Sequence, residues 1–163
     1  MKPPIEQIPL NYPILPRYGR EDFLVSPSNE HAFELFEHWP DWPDPICLLL
    51  GPSGSGKSHL ASIWAEQVKA LRIAGADLVR ADLASLPNGA CVLIEDADGA
   101  AIDERALFHL CNLTLEHKGW LVITARQRPD LWGLTLPDLL SRLRRALSAV
   151  SYTHLRAHET LRY

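Results

Sequence analysis

Gly51-Pro52-Ser53-Gly54-Ser55-Gly56-Lys57-Ser58 satisfies the pattern G-x-x-x-x-G-K-[ST] at every fixed position. The chemistry such a segment does is the cradling of phosphates. Glycines let the backbone curl without a Cβ in the way, so that successive N–H groups face an anion. A helix starting there adds its unpaired amides and its dipole. Lys57 would reach the β- and γ-phosphates, and the Ser58 hydroxyl would bind Mg²⁺. The expected ligand is therefore ATP or ADP with Mg²⁺. A glycine-rich strand-to-helix turn that binds nothing is the competing reading, and the flanking sequence argues against it.

A second group of residues has the types needed to act on a bound triphosphate. Glu95 and Asp96 follow the apolar run Cys91-Val92-Leu93-Ile94. Carboxylates at that point hold the hydration shell of Mg²⁺ and polarise water; a solvated acidic pair at a strand end is the alternative. Asp98 reads as a loop residue. Thr124 ends the run Trp120 to Ile123, and a hydroxyl there would hydrogen-bond the γ-phosphate or the water, although Thr is also a good strand former. Arg126 and Arg128 follow in the loop, where they could reach phosphate or a partner; they read as solvated. Ser141-Arg142-Leu143-Arg144-Arg145 is the basic cluster of the chain. It fits a solvated helix C-terminus favoured by the dipole, or an arginine supplied in trans to a neighbouring nucleotide.

These residues need a sheet to hold them. Ile46-Cys47-Leu48-Leu49-Leu50 is apolar without alternation, which predicts a strand buried on both faces. Helical periodicity follows from Lys57 to about Ile73, through Leu60, Ile63, Trp64, Val68 and Leu71. Asp77 to Arg80 is weakly strand-like. Asp103 to about His117 predicts a helix, with Leu107, Leu110, Cys111 and Thr114 on one face and Gly119 as its stop. A shorter helix is expected from Ser28 or Asn29 to Trp39. Strands alternating with helices imply an α/β fold, a three-layer α/β/α parallel sheet.

The bulk properties set bounds. The chain has 163 residues, of which 47% are apolar and 22% charged, as in one ordinary globular domain. A net charge of -4 and a pI near 5.9 argue against a dedicated duplex-DNA binder. No apolar run is long enough to span a bilayer and no signal peptide is evident, so a cytoplasmic protein without membrane contact is expected. Cys47, Cys91 and Cys111 read as small buried hydrophobes, and the histidines lack metal-ligand spacing.

Phe23 to Asn29, Gly51 to Leu60, Val92 to Asp96, Leu107 to Asn112, Ile123 to Arg126 and Leu139 to Leu143 together resemble the DnaA-related AAA+ ATPase family. The likeness runs from about Gln7 to Leu147 and is greatest to the short Hda-type regulatory inactivators of DnaA. It implies a P-loop NTPase fold of the AAA+ type. It also implies that Phe23, Val25 and Asn29 lie along the adenine and that His59 belongs to the nucleotide-binding segment. Glu95 and Asp96 would form the Walker B pair, Thr124 would be the sensor, and Arg142 would be the interfacial arginine finger. Gln7-Ile8-Pro9-Leu10 resembles the family's docking motif for the DNA polymerase sliding clamp. The implied partners are DnaA and the clamp, with self-association left open. The implied action is negative regulation of replication initiation, by promoting hydrolysis of DnaA-bound ATP.

Three departures from the family qualify this. Glu95 stands where DnaA has a metal-site Asp, so weak intrinsic hydrolysis is expected. No helix-turn-helix domain follows, so no direct sequence-specific DNA binding is expected. The small helical lid is absent from the sequence pattern, which breaks after about Ser148, and Ser151 to Thr160 resembles translated sequencing-adapter sequence. The expected organisation is a flexible arm over 1–20, the nucleotide-binding core over 21–148, and a non-native tail over 149–163. Competing functions are a helicase-loader-type AAA+ ATPase, a small-molecule kinase, and a non-hydrolysing module that holds adenine nucleotide as a structural ligand.

Overall fold

A computed structural model of the chain describes residues 25–98 and 102–152. The arm with Gln7, Ile8, Pro9 and Leu10, Phe23 (expected along the adenine), and 153–163 of the tail lie outside the described residues. Strand β1 (Ile46–Leu50) leads through the glycine-rich loop into helix α2 (Lys57–Val68), and a shorter helix α1 (Glu30–Glu37) precedes it. Strand β2 (Leu71–Ala74) is followed by β3 (Cys91–Glu95), helix α3 (Glu104–Glu116), β4 (Trp120–Ala125), helix α4 (Pro137–Arg145) and β5 (Leu147–Val150). Among the described residues these strands form one parallel sheet in the order β2-β3-β4-β1-β5.

The unalternating apolar runs are explained by this sheet. Ile46, Leu48, Leu50, Val92, Ile94, Leu121 and Ile123 pack with Leu107, Leu110, Leu139 and Leu143 of α3 and α4. Cys47, Leu49, Leu93 and Val122 face the other way, onto Ala32 and Phe36 of α1 and Leu60, Ala61 and Trp64 of α2. Each central strand is thus covered on both faces, giving three layers. The second face closes at its lower end with indoles: Trp42 stacks on Trp64 with centroids 6.4 Å apart, and Trp39 meets Trp64 edge-on at 6.2 Å. The Trp42 Nε1 donates to the Leu35 carbonyl at 2.8 Å, tying the proline-rich loop to α1.

The structure corrects several expectations. Helix α2 ends at Val68, not near Ile73, because Lys69 takes the left-handed conformation (φ 56°) and turns the chain back. Leu71 and Ile73 belong to β2; their spacing continues the helical period by coincidence. Asp77 to Arg80 lies in a 3-10 turn, Gly75–Arg80, that buries Leu78 completely. Lys118, not Gly119, takes the left-handed position after α3 (φ 55°). Gly119 is required by close approach instead, since a Cβ there would meet the Ala90 carbonyl oxygen at 2.3 Å. Cys47 and Cys111 are buried, the latter's thiol pushed up to about 12 by burial, whereas Cys91 is only half-buried.

The core does not stop at 148. Leu147–Val150 pairs with β1 from Cys47↔Leu147 to Leu50↔Val150, Ala149 is buried, and the Ser151 amide donates to the Leu50 carbonyl at 2.7 Å. An edge strand that buries one side chain in four leaves little periodicity to read.

Helix α4 is fastened to α3 by Glu104. Its Oε1 accepts from the Thr135 and Leu136 amides at 2.8 and 2.9 Å, and Oε2 accepts from the Thr135 hydroxyl at 3.0 Å. The Leu136 amide, followed by the two Thr135 groups, holds this carboxyl below its ordinary value despite an opposing desolvation. A depressed carboxyl stabilises the fold above its unfolded-state pKa and loses that contribution as pH falls through the folded value. Glu104→Gln should therefore flatten the acid limb of stability measured by urea unfolding below about pH 5. An unchanged limb would contradict this assignment.

Candidate functional site

The parallel sheet brings the carboxyl ends of β1, β3 and β4 to one rim. At that rim the chain leaves Leu50 and is pinned at once: the Gly51 amide donates to the Ala125 carbonyl at 3.1 Å. The Ser55 amide closes the turn on the Pro52 carbonyl at 3.1 Å. Gly54 (φ 80°) and Gly56 (φ 91°) take left-handed conformations, and Gly56 caps α2 with no side chain to satisfy the helix amides. No side chain caps those amides, so an anion could accept from them. The Ser55 Oγ is buried without a hydrogen-bond partner.

Lys57 is 5% exposed, with Nζ 3.4 Å from the Pro52 carbonyl. Burial pulls its ammonium below the ordinary lysine value; Asp96 and then Asp98 push it back up, and Arg126 lowers it again. A cation kept partly desolvated in this way is poised for an anionic ligand. Ser58 is exposed on the first turn of α2, and His59 beside it is half-buried.

Glu95 is the last residue of β3, and Asp96 turns the chain away with φ 58°. Thr124, buried on β4, accepts the Asp96 amide on Oγ1 at 3.0 Å, and its carbonyl accepts the Ala97 amide at 2.9 Å. The Thr124 hydroxyl hydrogen stays available to donate to a ligand. Ser53, Ala74, Gly75, Ala76, Glu95, Asp96 and Arg126 line a cleft of about 440 Å³. The structure thus gathers the loop, Lys57, the acidic pair and Thr124 at one rim.

Other expected residues lie around this centre. Val25 is exposed; Asn29 is buried, its Oδ1 accepting from the Ser26 amide at 2.9 Å. Their segment is tied to the loop indirectly: the Tyr152 amide donates to the Ser28 carbonyl at 2.9 Å, and the Ser151 hydroxyl donates to the Ser55 carbonyl at 2.6 Å. Arg142 is not among the residues lining the cleft. It sits on α4, one guanidinium nitrogen buried without a hydrogen-bond partner and its charge acting on the Cys111 thiol. Arg144 pairs with Asp130, Nε to Oδ1 at 2.8 Å.

Two residues at the site escape sequence reasoning. Asp98, read as a plain loop residue, accepts the Arg126 and Gln127 amides on Oδ2 at 2.9 Å each, joining the loops after β3 and β4. Arg72 donates Nε and Nη2 to Glu95 Oε2 at 3.2 Å, and Nη2 also to the buried Ser62 hydroxyl at 2.8 Å. Leu71 and Ile73 continue the helical period of α2, which hides Arg72 from any local pattern.

A parallel α/β sheet with a G-x-x-x-x-G-K-[ST] loop between a central strand and the next helix has the fold of a P-loop domain. Among solved structures the chain is similar to a DNA replication initiation factor, at 19% identity and a TM-score of 0.70 over 91% of this chain and 53% of that one. It is similar to AMPPCP-bound DnaA from Aquifex aeolicus, at 21% identity and a TM-score of 0.67 over 84% and 50%. It is also similar to a structure described as a primosome component from Streptococcus pyogenes serotype M3, at 19% identity and a TM-score of 0.60 over 85% and 88%. The chain spans about half the length of the first two. No protein-family model matches the sequence, and no curated protein does.

The loop geometry also separates Gly51, a fixed position of the motif, from Gly54, one of its free positions. A Cβ on Gly51 would meet the Ser151 carbonyl oxygen at 2.0 Å and the Ser55 Oγ at 2.7 Å, whereas one on Gly54 meets nothing within 4 Å. Gly54→Ala should cost about 1 kcal/mol, from its positive φ alone. Gly51→Ala should cost more, about 2–3 kcal/mol, because backbone must move. Urea midpoints measure both; equal losses would show that Gly51 is not wedged against the β5 end.

Proposed function

We propose that this chain is a DnaA-related AAA+ nucleotide-binding protein of the cytoplasm. In this reading it binds ATP or ADP with Mg²⁺ and restrains replication initiation by promoting hydrolysis of DnaA-bound ATP together with the sliding clamp. The observation that carries the nucleotide part is the start of α2 after Gly56, which no side chain caps, with desolvated Lys57 in its first turn. The orphaned Ser55 Oγ and the open space beside Gly54 fit a polyphosphate. The likeness to a DnaA structure that holds AMPPCP supports adenine as the base.

On this reading the backbone N–H groups donate to the phosphate oxygens and Lys57 bridges the outer ones. Ser58 and Asp96, with Glu95 only where Arg72 leaves an oxygen free, would hold Mg²⁺, which would neutralise phosphate charge. Asp96 and Thr124, joined through the Asp96 amide, orient a water at the cleft. Val25 and Asn29, with Phe23, flank the adenine, and His59 supports the loop from the helix.

Arg142 lies away from the chain's own cleft, which suits a guanidinium offered in trans to ATP on a neighbouring DnaA. Gln7-Ile8-Pro9-Leu10 is the segment proposed to enter the clamp pocket. A helicase-loader role is the second reading, favoured by the likeness to the primosome component over 88% of that chain.

The test is hydrolysis of DnaA-bound ATP with DNA-loaded clamp. Arg142→Ala should lower the stimulated rate by about 10²-fold or more while leaving clamp pull-down intact. Gln7→Ala with Leu10→Ala should abolish both clamp capture and stimulation. Stimulation that needs neither Arg142 nor the clamp would overturn the regulatory reading, and clamp-independent capture of a helicase would favour the loader.

A further inference from the structure

We propose that Arg72 is a resident counter-charge that takes the place of the divalent cation at Glu95, so that this site binds adenine nucleotide with little help from Mg²⁺. The inference rests on the nucleotide reading above and deepens it. Arg72 lies on the sheet-edge strand β2, whose register sets it beside Leu93 on the face that carries Glu95. Its guanidinium reaches diagonally across to Glu95, placing Nε and Nη2 on the same oxygen. This is more than a chance surface pair. Nη2 is also held by the hydroxyl of Ser62, which is 1% exposed on α2, so the guanidinium is fixed from the helix side as well.

The charge pattern at the rim follows from this pairing. Three cations, Lys57, Arg72 and Arg126, stand among three carboxylates, Glu95, Asp96 and Asp98. Asp98 is already engaged by two backbone amides and Glu95 by Arg72. A divalent ion that shared Glu95 would sit close to a fixed guanidinium, and their mutual repulsion offsets the attraction of the carboxylate. Mg²⁺ also demands tight octahedral geometry and needs one or two carboxylates it can draw inward. Glu95 lines the cleft, but one of its two oxygens is held by the guanidinium from the edge strand. The phosphate charge falls instead to Lys57, Arg126 and the loop amides.

The experiment is calorimetric titration of the full chain with ADP, once with Mg²⁺ in excess and once with EDTA. Wild type should give Kd values within about threefold of each other. Arg72→Met, which keeps the apolar stem but removes the charge, should bind ADP at least about tenfold more tightly with Mg²⁺ than without. Ser62→Ala, which keeps the charge but frees the guanidinium, should shift the ratio the same way by a smaller factor. Circular dichroism melts establish that each variant is folded, and Ser62→Ala carries the test if Arg72→Met is not. A tenfold Mg²⁺ gain in wild type would overturn the proposal while leaving nucleotide binding intact. A folded variant whose ratio matches wild type would do the same. Absence of ADP binding by wild type in both buffers would overturn the nucleotide reading and this inference with it.

Discussion

The site depends on one strand being held from both sides. Strand β1 is paired with β4 along one edge and β5 along the other, and its last carbonyl and the next amide are both taken by those neighbours. The Ser151 amide bonds Leu50, and the Gly51 amide bonds Ala125. The chain therefore leaves the sheet at a fixed point and in a fixed direction. From there it must turn sharply to place α2 on the Trp64 face, and only glycines at 54 and 56 supply the left-handed angles. The amide cradle is the geometric consequence of that turn.

The same constraint brings the chemistry to the loop. Parallel neighbours end at the same rim, so Glu95, Asp96 and Thr124 arrive there because β3 and β4 flank each other beside β1. Small polar ties then set the details: the Thr124 hydroxyl fixes the Asp96 turn, and the Asp98 carboxylate joins the two loops. Far from the rim, the indoles of Trp39, Trp42, Trp64 and Trp120 seal the opposite end of the α1–α2 face.

Much of this is legible in the sequence, for physical reasons. Ile46 to Leu50 and Cys91 to Ile94 lack alternation because both faces are buried, and that absence is itself the mark of a parallel central strand. The loop is legible because few residues tolerate its angles. Edge strands are not: β2 and β5 each bury a single side chain, so Leu71 and Ile73 pass as helix and Leu147 to Val150 as the fading end of a pattern. Arg72 is hidden for the same reason. Its importance lies in a cross-strand partner 23 positions away, and no local period records that. Gly119 shows a subtler limit, since a glycine after a helix suggests a left-handed stop when the actual demand is closeness to Ala90.

The central claim is that the backbone amides of Gly54 to Ser58 receive the phosphates of an adenine nucleotide. Amide resonances of the full chain, followed by two-dimensional NMR while ADP is added, test it most directly. Saturable shifts that are largest at Gly56, Lys57 and Ser58, and lost on Lys57→Ala, are the outcome the geometry predicts. Saturable ADP binding that leaves those amides unmoved, or no binding by the folded chain, would contradict it.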